Sequence, residues 1–508
     1  MIAKTYTCSL LGIDAVPVEV EVDIASGLPA FATVGLPDSS VREAKDRVKA
    51  AIQNSGYPFP MERITVNLAP ANLKKEGSGY DLPIAIGLLA AVGVVGSQKV
   101  EKAILTGELA LDGRVKPVSG CLPMALRARD LGYEDVIVPA ANAREAAVVD
   151  SVTVWPVSHL SDVVEFLNGR SEMVPFQLER EGLWETGNGD EIGFEDVKGQ
   201  EHAKRGMEVA AAGNHNLLMI GPPGSGKTML AQRLAGILPP LSFEEALETS
   251  KIFSVAGLLQ ENPLVVRRQF RSPHHTISDA GLVGGGHIPR PGEVSLAHNG
   301  VLFLDEFPEF RRSVLDLLRQ PLEDGQVTIS RAAVTLTYPA RFMLVAAMNP
   351  CPCGYSGDPT RPCTCSPNQV RKYRGRISGP ILDRIDLHIE VPAVKYEQLR
   401  SDSESEKSES IRMRVCRARD IQLKRLAGEG IYSNSQMKPK HLKRFCRIDE
   451  AGQALLDEAV RQLGLSARAY HRIIKVSRTI ADLEACENIA PHHLLEAIQY
   501  RSLDRRLF

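Results

Sequence analysis

The sequence predicts a multidomain α/β protein, and three observations support that fold class. The chain has 508 residues, 44% of them hydrophobic, which is enough apolar material for two or three cores. Strand-like and helix-like stretches alternate along its first third. Further on, short apolar runs are each closed by a polar turn, which is typical of parallel strands buried on both faces of a sheet.

Three blocks follow one another along the chain. Residues 1–168 alternate strand-like runs such as VPVEVEVDI with Ala-rich helical stretches such as VREAKDRVKAAIQ, which predicts a separable α+β domain. Residues 169–192 mix charge with glycine and lack periodicity, as linkers do. Residues 193–400 carry the apolar runs NLLMI, VLFL and FMLVAAM, which predict a parallel sheet with helices on both faces.

The last hundred residues have a different character. The run SDSESEKSES at 401–410 is too polar to pack and predicts a linker. Residues 411–508 have helical periodicity almost throughout, which predicts a helical third domain. No internal repeat is found in the sequence.

Charge and hydropathy exclude several classes of protein. The formal net charge is −2, so a globally basic nucleic-acid coat protein is excluded and any such contact has to be local. Local basic stretches lie at 267–271, 371–376 and 412–425, although a solvated face is the simpler interpretation of each. No apolar run approaches the roughly 20 residues of a membrane span, and the N-terminus does not resemble a signal peptide. We therefore expect a cytoplasmic protein without membrane contact.

A phosphate-binding loop is predicted at residues 221–228, which read GPPGSGKT directly after the run NLLMI and before a helical stretch. That context disfavours the alternative of a Gly-rich turn without a ligand. Glycines let backbone N–H groups and the helix N-terminus face an anion. Lys227 is expected to reach the β- and γ-phosphates of ATP, and Thr228 to ligate Mg²⁺. The predicted loop consists of Gly221, Pro222, Pro223, Gly224, Ser225, Gly226, Lys227 and Thr228.

Two further apolar runs end in residues suited to hydrolysis. VLFLDE delivers Asp305 to the metal and Glu306 to a position where it can polarise the attacking water. FMLVAAMN ends in Asn349, an amide that can orient this water or contact the γ-phosphate. An acid pair after a buried strand is common by itself, but together with a phosphate loop it predicts ATP hydrolysis.

The order of these motifs resembles AAA+ ATPases, in the branch that contains magnesium chelatase motor subunits and the MCM helicases. The segments FRSPHHTISDAGLVGGGHIPRPGEVSLAHNGVLFLDEF and SGPILDRIDLHIEV resemble the ComM/YifB family of magnesium-chelatase-like ATPases over essentially the whole chain. The resemblance implies a P-loop AAA+ module with a helical C-terminal lid, assembled into a hexameric ring.

The resemblance also assigns roles to two arginines. Arg384 in LDRID matches the arginine finger, which reaches the ATP site of a neighbouring subunit. Arg468 in LSARAYHRI matches the lid arginine called sensor 2, with Arg472 as a competitor for that role. A cation at the γ-phosphate stabilises the charge that develops during phosphoryl transfer, and a finger in trans makes hydrolysis depend on assembly.

A β-hairpin is predicted between the acid pair and Asn349, where QVTIS and VTLTY flank Arg331. In the proteins that this chain resembles, such a hairpin points into the ring and contacts DNA, so Arg331 is a candidate phosphate contact. The alternative is an ordinary hairpin packed on the domain surface. For His274 and His275 we expect a structural or coupling role, because neighbours on an extended segment point to opposite faces and do not readily share a metal.

Four of the nine cysteines lie within residues 351–365 in the order C-x-C, nine residues, C-x-C. Four thiolates suit a tetrahedral Zn²⁺ site, and the Gly- and Pro-rich interval lets the chain double back. The spacing also allows a reduced loop without metal or labile disulfides. The candidate ligands of a structural Zn²⁺ are Cys351, Cys353, Cys363 and Cys365.

The first domain resembles the proteolytic domain of Lon proteases through KKEGSGYDLPIAIGLLAAVGVV and the TGE-containing segment that follows it. That family uses a Ser-Lys dyad. Here Asp81 stands where the serine would be and Leu122 where the lysine would be, so neither nucleophile nor base is present. We expect a noncatalytic domain used in assembly or nucleic-acid contact.

The resemblance implies a DNA motor with ATP and Mg²⁺ as cofactors. Its expected work is branch migration of recombination intermediates during natural transformation, on single-stranded or branched DNA. A chelatase-type motor that remodels a protein partner is the main alternative. A Lon-like protease is a third, and the missing dyad disfavours it.

Overall fold

A computed structural model describes residues 1–179, 193–259, 262–286, 289–330, 335–359, 361–393 and 405–501. The chain forms two compact units, and neither is a single continuous stretch of sequence. The first unit comprises Met1–Thr186 and Phe243–Val266, and the second comprises Gly187–Ser242 and Arg267–Phe508.

The strands, in chain order, are β1 Ile2–Leu11, β2 Asp14–Ala25, β3 Ala30–Val34, β4 Arg63–Ala69, β5 Ala103–Leu105, β6 Glu108–Leu109, β7 Val115–Lys116, β8 Asp135–Pro139, β9 Thr153–Val157, β10 Leu217–Ile220, β11 Phe270–Arg271, β12 Gly284–Gly285, β13 Arg290–Pro291, β14 Val301–Leu304, β15 Gln326–Ser330, β16 Thr335–Pro339, β17 Met343–Met348 and β18 Leu387–Glu390.

The helices, in chain order, are α1 Ser39–Asn54, α2 Asp81–Ala91, α3 Ser97–Val100, α4 Cys121–Leu131, α5 Ala143–Ala146, α6 Leu160–Leu167, α7 Glu201–Gly213, α8 Lys227–Ile237, α9 Phe243–Ala256, α10 Asp279–Val283, α11 Glu293–Leu296, α12 Arg312–Leu317, α13 Arg319–Asp324, α14 Pro367–Arg374, α15 Gly379–Leu382, α16 Ser408–Arg425, α17 Pro439–Phe445, α18 Glu450–Leu463, α19 Ala467–Leu483 and α20 Pro491–Gln499. None of these helices is both long enough and apolar enough to cross a membrane.

The first unit is built on a mixed seven-stranded sheet in the order β3-β4-β2-β1-β5-β8-β9. Strands β1, β2 and β4 pair antiparallel, while β5, β8 and β9 extend the sheet in parallel. Helix α2 is apolar on every side and almost entirely buried, as expected of a helix packed inside a core. Alternation in the sequence therefore predicted the class of this unit correctly.

Residues 243–266 belong to the first unit, although the sequence analysis placed them in the block 193–400. Helix α9 packs against α4, where the backbone N–H of Gly120 donates to the carbonyl of Ser254. The hydroxyl of Ser254 donates to the buried carboxylate of Glu145 over 2.6 Å. Amphipathic periodicity indicates that a helix is packed but not which body it packs against, so sequence alone could not make this assignment.

The second unit contains a five-stranded parallel sheet in the order β11-β14-β17-β10-β18. Every residue of the central strands β10, β14 and β17 is buried, which explains their unbroken apolar sequence. A separate antiparallel pair, β15 and β16, forms the predicted hairpin with Ser330 opposite Thr335. The parallel sheet and its helices confirm the predicted fold class.

The C-terminal helices share the core of this second unit. Helices α16 and α19 pack against α7, and Val415 and Ile473 belong to the same buried cluster as Met207 of α7 and Leu217 of β10. The segment 411–508 is helical, as predicted. Its helices form one continuous core with the parallel sheet, because their apolar faces are covered by α7 rather than by one another alone.

Candidate functional site

The predicted hydrolytic residues meet at one edge of the parallel sheet. Strands β14, β17 and β10 are neighbours and run in the same direction, so their carboxyl ends lie side by side. The phosphate loop follows β10, Asp305 and Glu306 follow β14, and Asn349 follows β17. Three separate motifs in the sequence are thereby brought into one site.

The loop that follows β10 has the geometry of an anion cradle. Gly224 and Gly226 have φ angles of 75° and 89°, in the left-handed region that other residues rarely adopt, and Gly226 caps the N-terminus of α8. The hydroxyl of Ser225 is buried without a hydrogen-bond partner among the described residues. A buried polar atom of this kind requires a partner, and a nucleotide phosphate would supply one. These residues fit ATP.

Lys227 directs its ammonium group at the interior of the loop. Its Nζ donates to the carbonyls of Gly221 and Pro222 over 2.8 and 2.9 Å, and to Oδ1 of Asn349 over 3.3 Å. Burial lowers the pKa of Lys227, while the charge of Asp305 opposes that effect. The cation is thus held where phosphate oxygens would enter, and it joins the loop to the predicted sensor Asn349.

Thr228 and Asp305 lie in contact at the mouth of the loop. The hydroxyl of Thr228 donates to Oδ2 of Asp305 over 2.6 Å. Neighbouring ligands of an octahedral Mg²⁺ are about 2.9 Å apart, so the two oxygens can accept this ion with little adjustment. The pair fits the predicted magnesium site.

Glu306 is held by a histidine that the sequence analysis did not assign to the site. Nδ1 of His275 lies 3.1 Å from Oε2 of Glu306, and Glu306 itself adopts a left-handed backbone with a φ of 51°. His275 also packs edge-on against Phe310. The ring of the neighbouring His274 lies against that of His275, with 4.1 Å between the centroids, although the two side chains were expected to point to opposite faces; Nδ1 of His274 contacts Thr276 rather than Glu306. The structural or coupling role expected of the histidine pair stays a prediction. Two adjacent histidines were the signal of this contact in the sequence, and that signal is too general to assign a partner.

All these groups border one cavity of about 670 Å³ at the edge of the sheet. It is lined by Pro223, Gly224, Ser225, Gly226, Lys227, Thr228, Met229, Ser272, Pro273, His274, His275, Asp305, Glu306 and Asn349. The lining combines a cation, two carboxylates and an amide around a backbone loop, which is what binding and hydrolysis of a nucleoside triphosphate require.

The three candidate arginines lie outside this lining. Arg384 forms an ion pair with Glu323 of α13 and donates to the carbonyl of Pro380. Arg468 is largely exposed and lies 3.8 Å from Asp383. Arg472 is partly exposed and forms an ion pair over 2.5 Å with the buried Asp386, which holds the pKa of that carboxyl well below its usual range against the opposing effect of burial. The finger and sensor 2 roles remain predictions.

The hairpin β15–β16 has one buried and one exposed face. Val327, Ile329, Leu336 and Tyr338 point inwards, and the hydroxyl of Tyr338 donates to the carbonyl of Pro289. Thr328 faces Thr337 on the exposed side, with their hydroxyls 3.3 Å apart. Arg331, the candidate DNA contact, lies outside the described residues.

The four clustered cysteines converge after Asn349. Sγ of Cys351 lies 3.3 Å from that of Cys353 and 3.7 Å from that of Cys363, and the latter two are 3.5 Å apart. Cys365 completes a set whose four sulfurs are all within 4.8 Å of one another. The backbone N–H groups of Tyr355 and Thr364 point at Cys353 and lower the pKa of its thiol to about 5. The arrangement is compatible with Zn²⁺.

In the first unit, Asp81 and Leu122 are both fully buried. Asp81 accepts two hydrogen bonds from Arg47, over 2.7 and 2.9 Å, and a third from the backbone of Leu109. Burial raises the pKa of Asp81 to about 6, although Arg47 favours its charged form. Asp81 therefore forms an enclosed ion pair with Arg47, and the noncatalytic role of this unit stays a prediction.

Comparison with known families gives three consecutive matches. Residues 20–142 match the family described as subunit ChlI of Mg-chelatase. Residues 193–399 match magnesium chelatase, subunit ChlI, and residues 405–501 match the C-terminal part of the same subunit. The central match contains the whole nucleotide site.

Several curated proteins are similar over the full length. Protein YifB of Salmonella typhimurium is 46% identical over 508 residues, covering 100% of this chain and 98% of that protein. Competence protein ComM of Haemophilus influenzae is 45% identical over 513 residues, with the same coverage. The magnesium-chelatase 38 kDa subunit of Cereibacter sphaeroides is 24% identical over 215 residues, covering 39% of this chain and 58% of that subunit.

Proposed function

Because the chain belongs to the ComM/YifB family of magnesium-chelatase-like AAA+ ATPases, we propose that it is a ring-forming motor that uses ATP hydrolysis to move along DNA. Membership of that family implies ATPase activity, and the cavity at the edge of the sheet holds the residues that this activity needs. What we propose beyond ATPase activity is that the protein forms a ring, binds DNA and moves along it.

The position of the hairpin β15–β16 is the main observation in favour of DNA binding. The hairpin lies in the chain between Glu306 and Asn349, so a change at the γ-phosphate can shift it through either neighbour. Its exposed face presents hydroxyl groups, and the segment 326–339 contains no Asp or Glu. Hydroxyl and arginine side chains bind phosphate oxygens without reading base sequence, and a motor that travels along DNA needs such contacts.

In the proposed mechanism, Lys227 neutralises the β- and γ-phosphates, Thr228 and Asp305 hold Mg²⁺, and Glu306 accepts a proton from the attacking water. Asn349 orients that water. Arg384 of one subunit completes the site of the next in a hexamer, and Arg468 contacts the γ-phosphate from the helical lid. One structural Zn²⁺, held by the four clustered thiols, completes the set of cofactors.

The similarity to a competence protein suggests the biological task. Uptake of foreign DNA by natural transformation yields branched recombination intermediates, and a ring motor that moves a branch point would extend them. We place this work in the cytoplasm. The family matches to magnesium chelatase favour a second candidate function, in which the motor remodels a protein partner instead.

The proposal is tested by comparing rates of ATP hydrolysis. They are measured without nucleic acid and then with single-stranded DNA, duplex DNA or a four-way junction. We expect the junction to stimulate hydrolysis most, and we expect Arg331→Ala to remove most of this stimulation while leaving basal hydrolysis unchanged. DNA affinity should fall with rising salt, and the slope should be shallower by about one for each phosphate that the variant no longer neutralises. Arg129→Ala, which removes an exposed arginine of the first unit, is the matched control.

Two results would contradict the proposal. Junction migration at the wild-type rate by the Arg331→Ala variant would remove the hairpin from the DNA path. Failure of the wild-type protein to bind any form of DNA at low salt would leave the protein-remodelling motor as the better explanation of the same ATP site.

A further inference from the structure

The loop that carries the four clustered thiols has almost no apolar side chains to hold it in place. Between Met348 and Val370 the sequence contains no Val, Leu, Ile, Met, Phe or Trp, and of its four thiols only that of Cys351 is fully buried. A segment of this composition cannot fix its own conformation by packing. A few polar contacts, such as the hydrogen bond from Arg361 to the hydroxyl of Tyr355, join parts of the loop, and the four convergent thiols are the remaining groups able to fix it.

The sulfur positions fit a single tetrahedral ion. A Zn–S bond of about 2.3 Å places sulfurs about 3.8 Å apart around the metal, close to the 3.3–3.7 Å that separate the sulfurs of Cys351, Cys353 and Cys363. Backbone N–H groups also point at the sulfurs, from Ser356 to Cys351 and from Cys353 to Cys365, each over 3.3 Å. Donors aimed at sulfur stabilise thiolates, which are the form that binds a metal.

The same loop packs on the nucleotide site. Gly354, the residue after Cys353, has a φ of 89° and lies against the phosphate loop, where an added Cβ would come within 2.4 Å of Cδ of Pro223. At the other end of the loop, Nε of Arg374 donates to the carbonyl of Pro350 over 3.0 Å. Asn349 itself bonds to Lys227. The thiol loop therefore contacts the ATP cavity at two places: Gly354 lies against Pro223, and Asn349, which precedes the loop, bonds to Lys227.

We propose that a Zn²⁺ ion bound by the four thiols is a structural part of the nucleotide pocket, which fixes Asn349 and presses the loop at Gly354 against Pro223. The inference rests on the proposed ATP and zinc sites, and it adds that removal of the metal weakens nucleotide binding. The ion takes no part in hydrolysis. It acts as a clamp that replaces a hydrophobic core behind the phosphate loop.

Full-length protein purified without chelator should contain about one zinc per chain by elemental analysis. We expect Cys363→Ser, which removes the exposed ligand, to lose the metal and to weaken ATP binding at least about tenfold by calorimetry. Cys416→Ser, outside the cluster, should change neither quantity. These measurements contain no nucleic acid, so failure of the DNA proposal would not affect them.

A pair of glycine variants separates the effect of packing from that of the metal. Gly354→Ala forces a methyl group against Pro223 but keeps all four thiols, so it should retain zinc and bind ATP more weakly. Gly357→Ala is the matched control, because Gly357 also has a left-handed backbone in the same loop, with a φ of 84°, but an added Cβ there would meet no atom within 4 Å. It should bind zinc and ATP as the wild type does.

Three results would overturn the inference. The first is protein without bound zinc, or with the four thiols joined in disulfides. The second is Cys363→Ser protein that lacks zinc but binds ATP with wild-type affinity. The third is equal ATP affinity of the Gly354→Ala and Gly357→Ala variants, since packing against Pro223 would then have no consequence for the nucleotide.

Discussion

Glu306 depends on His275 for its position in the ATP site. The carboxylate is more than half exposed and sits on a left-handed residue, so little besides the imidazole restrains it. A general base contributes only when it is held within hydrogen-bond reach of the water that it activates. His275 is therefore a positioning residue for the proposed hydrolysis.

We predict that His275→Ala lowers kcat for ATP hydrolysis by about tenfold with little change in KM, because the base is retained but no longer oriented. Glu306→Gln should abolish turnover and keep nucleotide binding. His274→Ala is the control, since the neighbouring ring contacts Thr276 instead of the carboxylate. Equal kcat values for the His274 and His275 variants would show that the contact between His275 and Glu306 has no role in catalysis.

We also predict that the free energy of unfolding of the first unit depends on pH through Asp81. Its pKa is about 6 in the folded protein and about 4 in an unfolded chain, so the folded state binds the extra proton between these values. Its contribution to stability is therefore highest below pH 4 and falls as the pH rises towards 6 and beyond, by up to about 3 kcal/mol. Asp81→Asn removes this dependence.

The measurement is denaturant unfolding between pH 4 and pH 7.5, followed by fluorescence. The sequence has two tryptophans, and in a Trp184→Phe background Trp155 reports on the first unit alone. The free energy of unfolding of wild type relative to Asp81→Asn should decline across this range. A constant difference would mean that Asp81 does not titrate between these two pH values.

At the scale of elements, the hairpin and the proposed arginine finger are linked through α13. Glu323 of α13 pairs with Arg384, and the helix leads into β15 after Gly325. To reach a neighbouring subunit, Arg384 has to leave this partner in its own chain. In the proposed assembly, the pair with Glu323 therefore opposes the movement of Arg384 into the site of a neighbouring subunit.

We predict that Glu323→Gln lowers the protein concentration at which ATP hydrolysis becomes half-maximal, because it weakens the hold on the finger. Glu309→Gln, which disturbs the pair with Arg376 in the same unit, is the control. Arg384→Ala should bind ATP but not hydrolyse it, and mixing it with Glu306→Gln protein should restore some activity. If the two variants co-assemble and stay inactive, Arg384 does not act in trans.

The elements that the sequence predicted are those specified by local pattern. β10, β14 and β17 are buried apolar runs that each end at a turn, so the pattern determined both the strands and the shared edge at which Lys227, Asp305 and Asn349 meet. His275 was missed because it follows a two-residue edge strand, and its contact with Glu306 exists only in the folded sheet.

Contacts between residues far apart in the chain could not be predicted either, because they too exist only in the folded protein. Nothing near Arg384 in the chain points to Glu323, which precedes it by about 60 residues. The cysteine spacing did predict a cluster, because all four thiols lie in one short loop, and the structure brings them together as expected. Local features were predictable, whereas pairings between distant elements were not.

At the scale of the whole molecule, the segment Phe243–Val266 limits where the chain can be cut to produce each unit separately. It belongs to the first unit but is inserted in the second, between Ser242 and Arg267. Arg268 donates to the carbonyls of Pro239 and Pro240 over 2.6 and 3.3 Å, so the two ends of the insertion lie close together. A cut within the predicted linker 169–192 therefore leaves residues 243–266 of the first unit attached to the second.

We predict that residues 187–508 aggregate when produced alone, because the insertion carries apolar side chains that the intact chain buries, among them Ile252, Leu264 and Val265. Replacing residues 243–266 with a short Gly-Ser linker should restore a soluble protein, since the gap is narrow. Size-exclusion chromatography compares the two. Equal solubility would show that the insertion does not need the first unit.

The interleaved order of the two units also constrains how the protein is made. The ribosome completes α6 and then begins α9 about 75 residues later, which takes roughly 4–15 s at ordinary rates of translation. During that interval Glu145 has no Ser254 to bind, while α7, β10 and α8 of the second unit are already synthesised. We therefore expect both units of the nascent chain to mature together, and any ribosome that stops before residue 243 to release a first unit that lacks its final helix, α9.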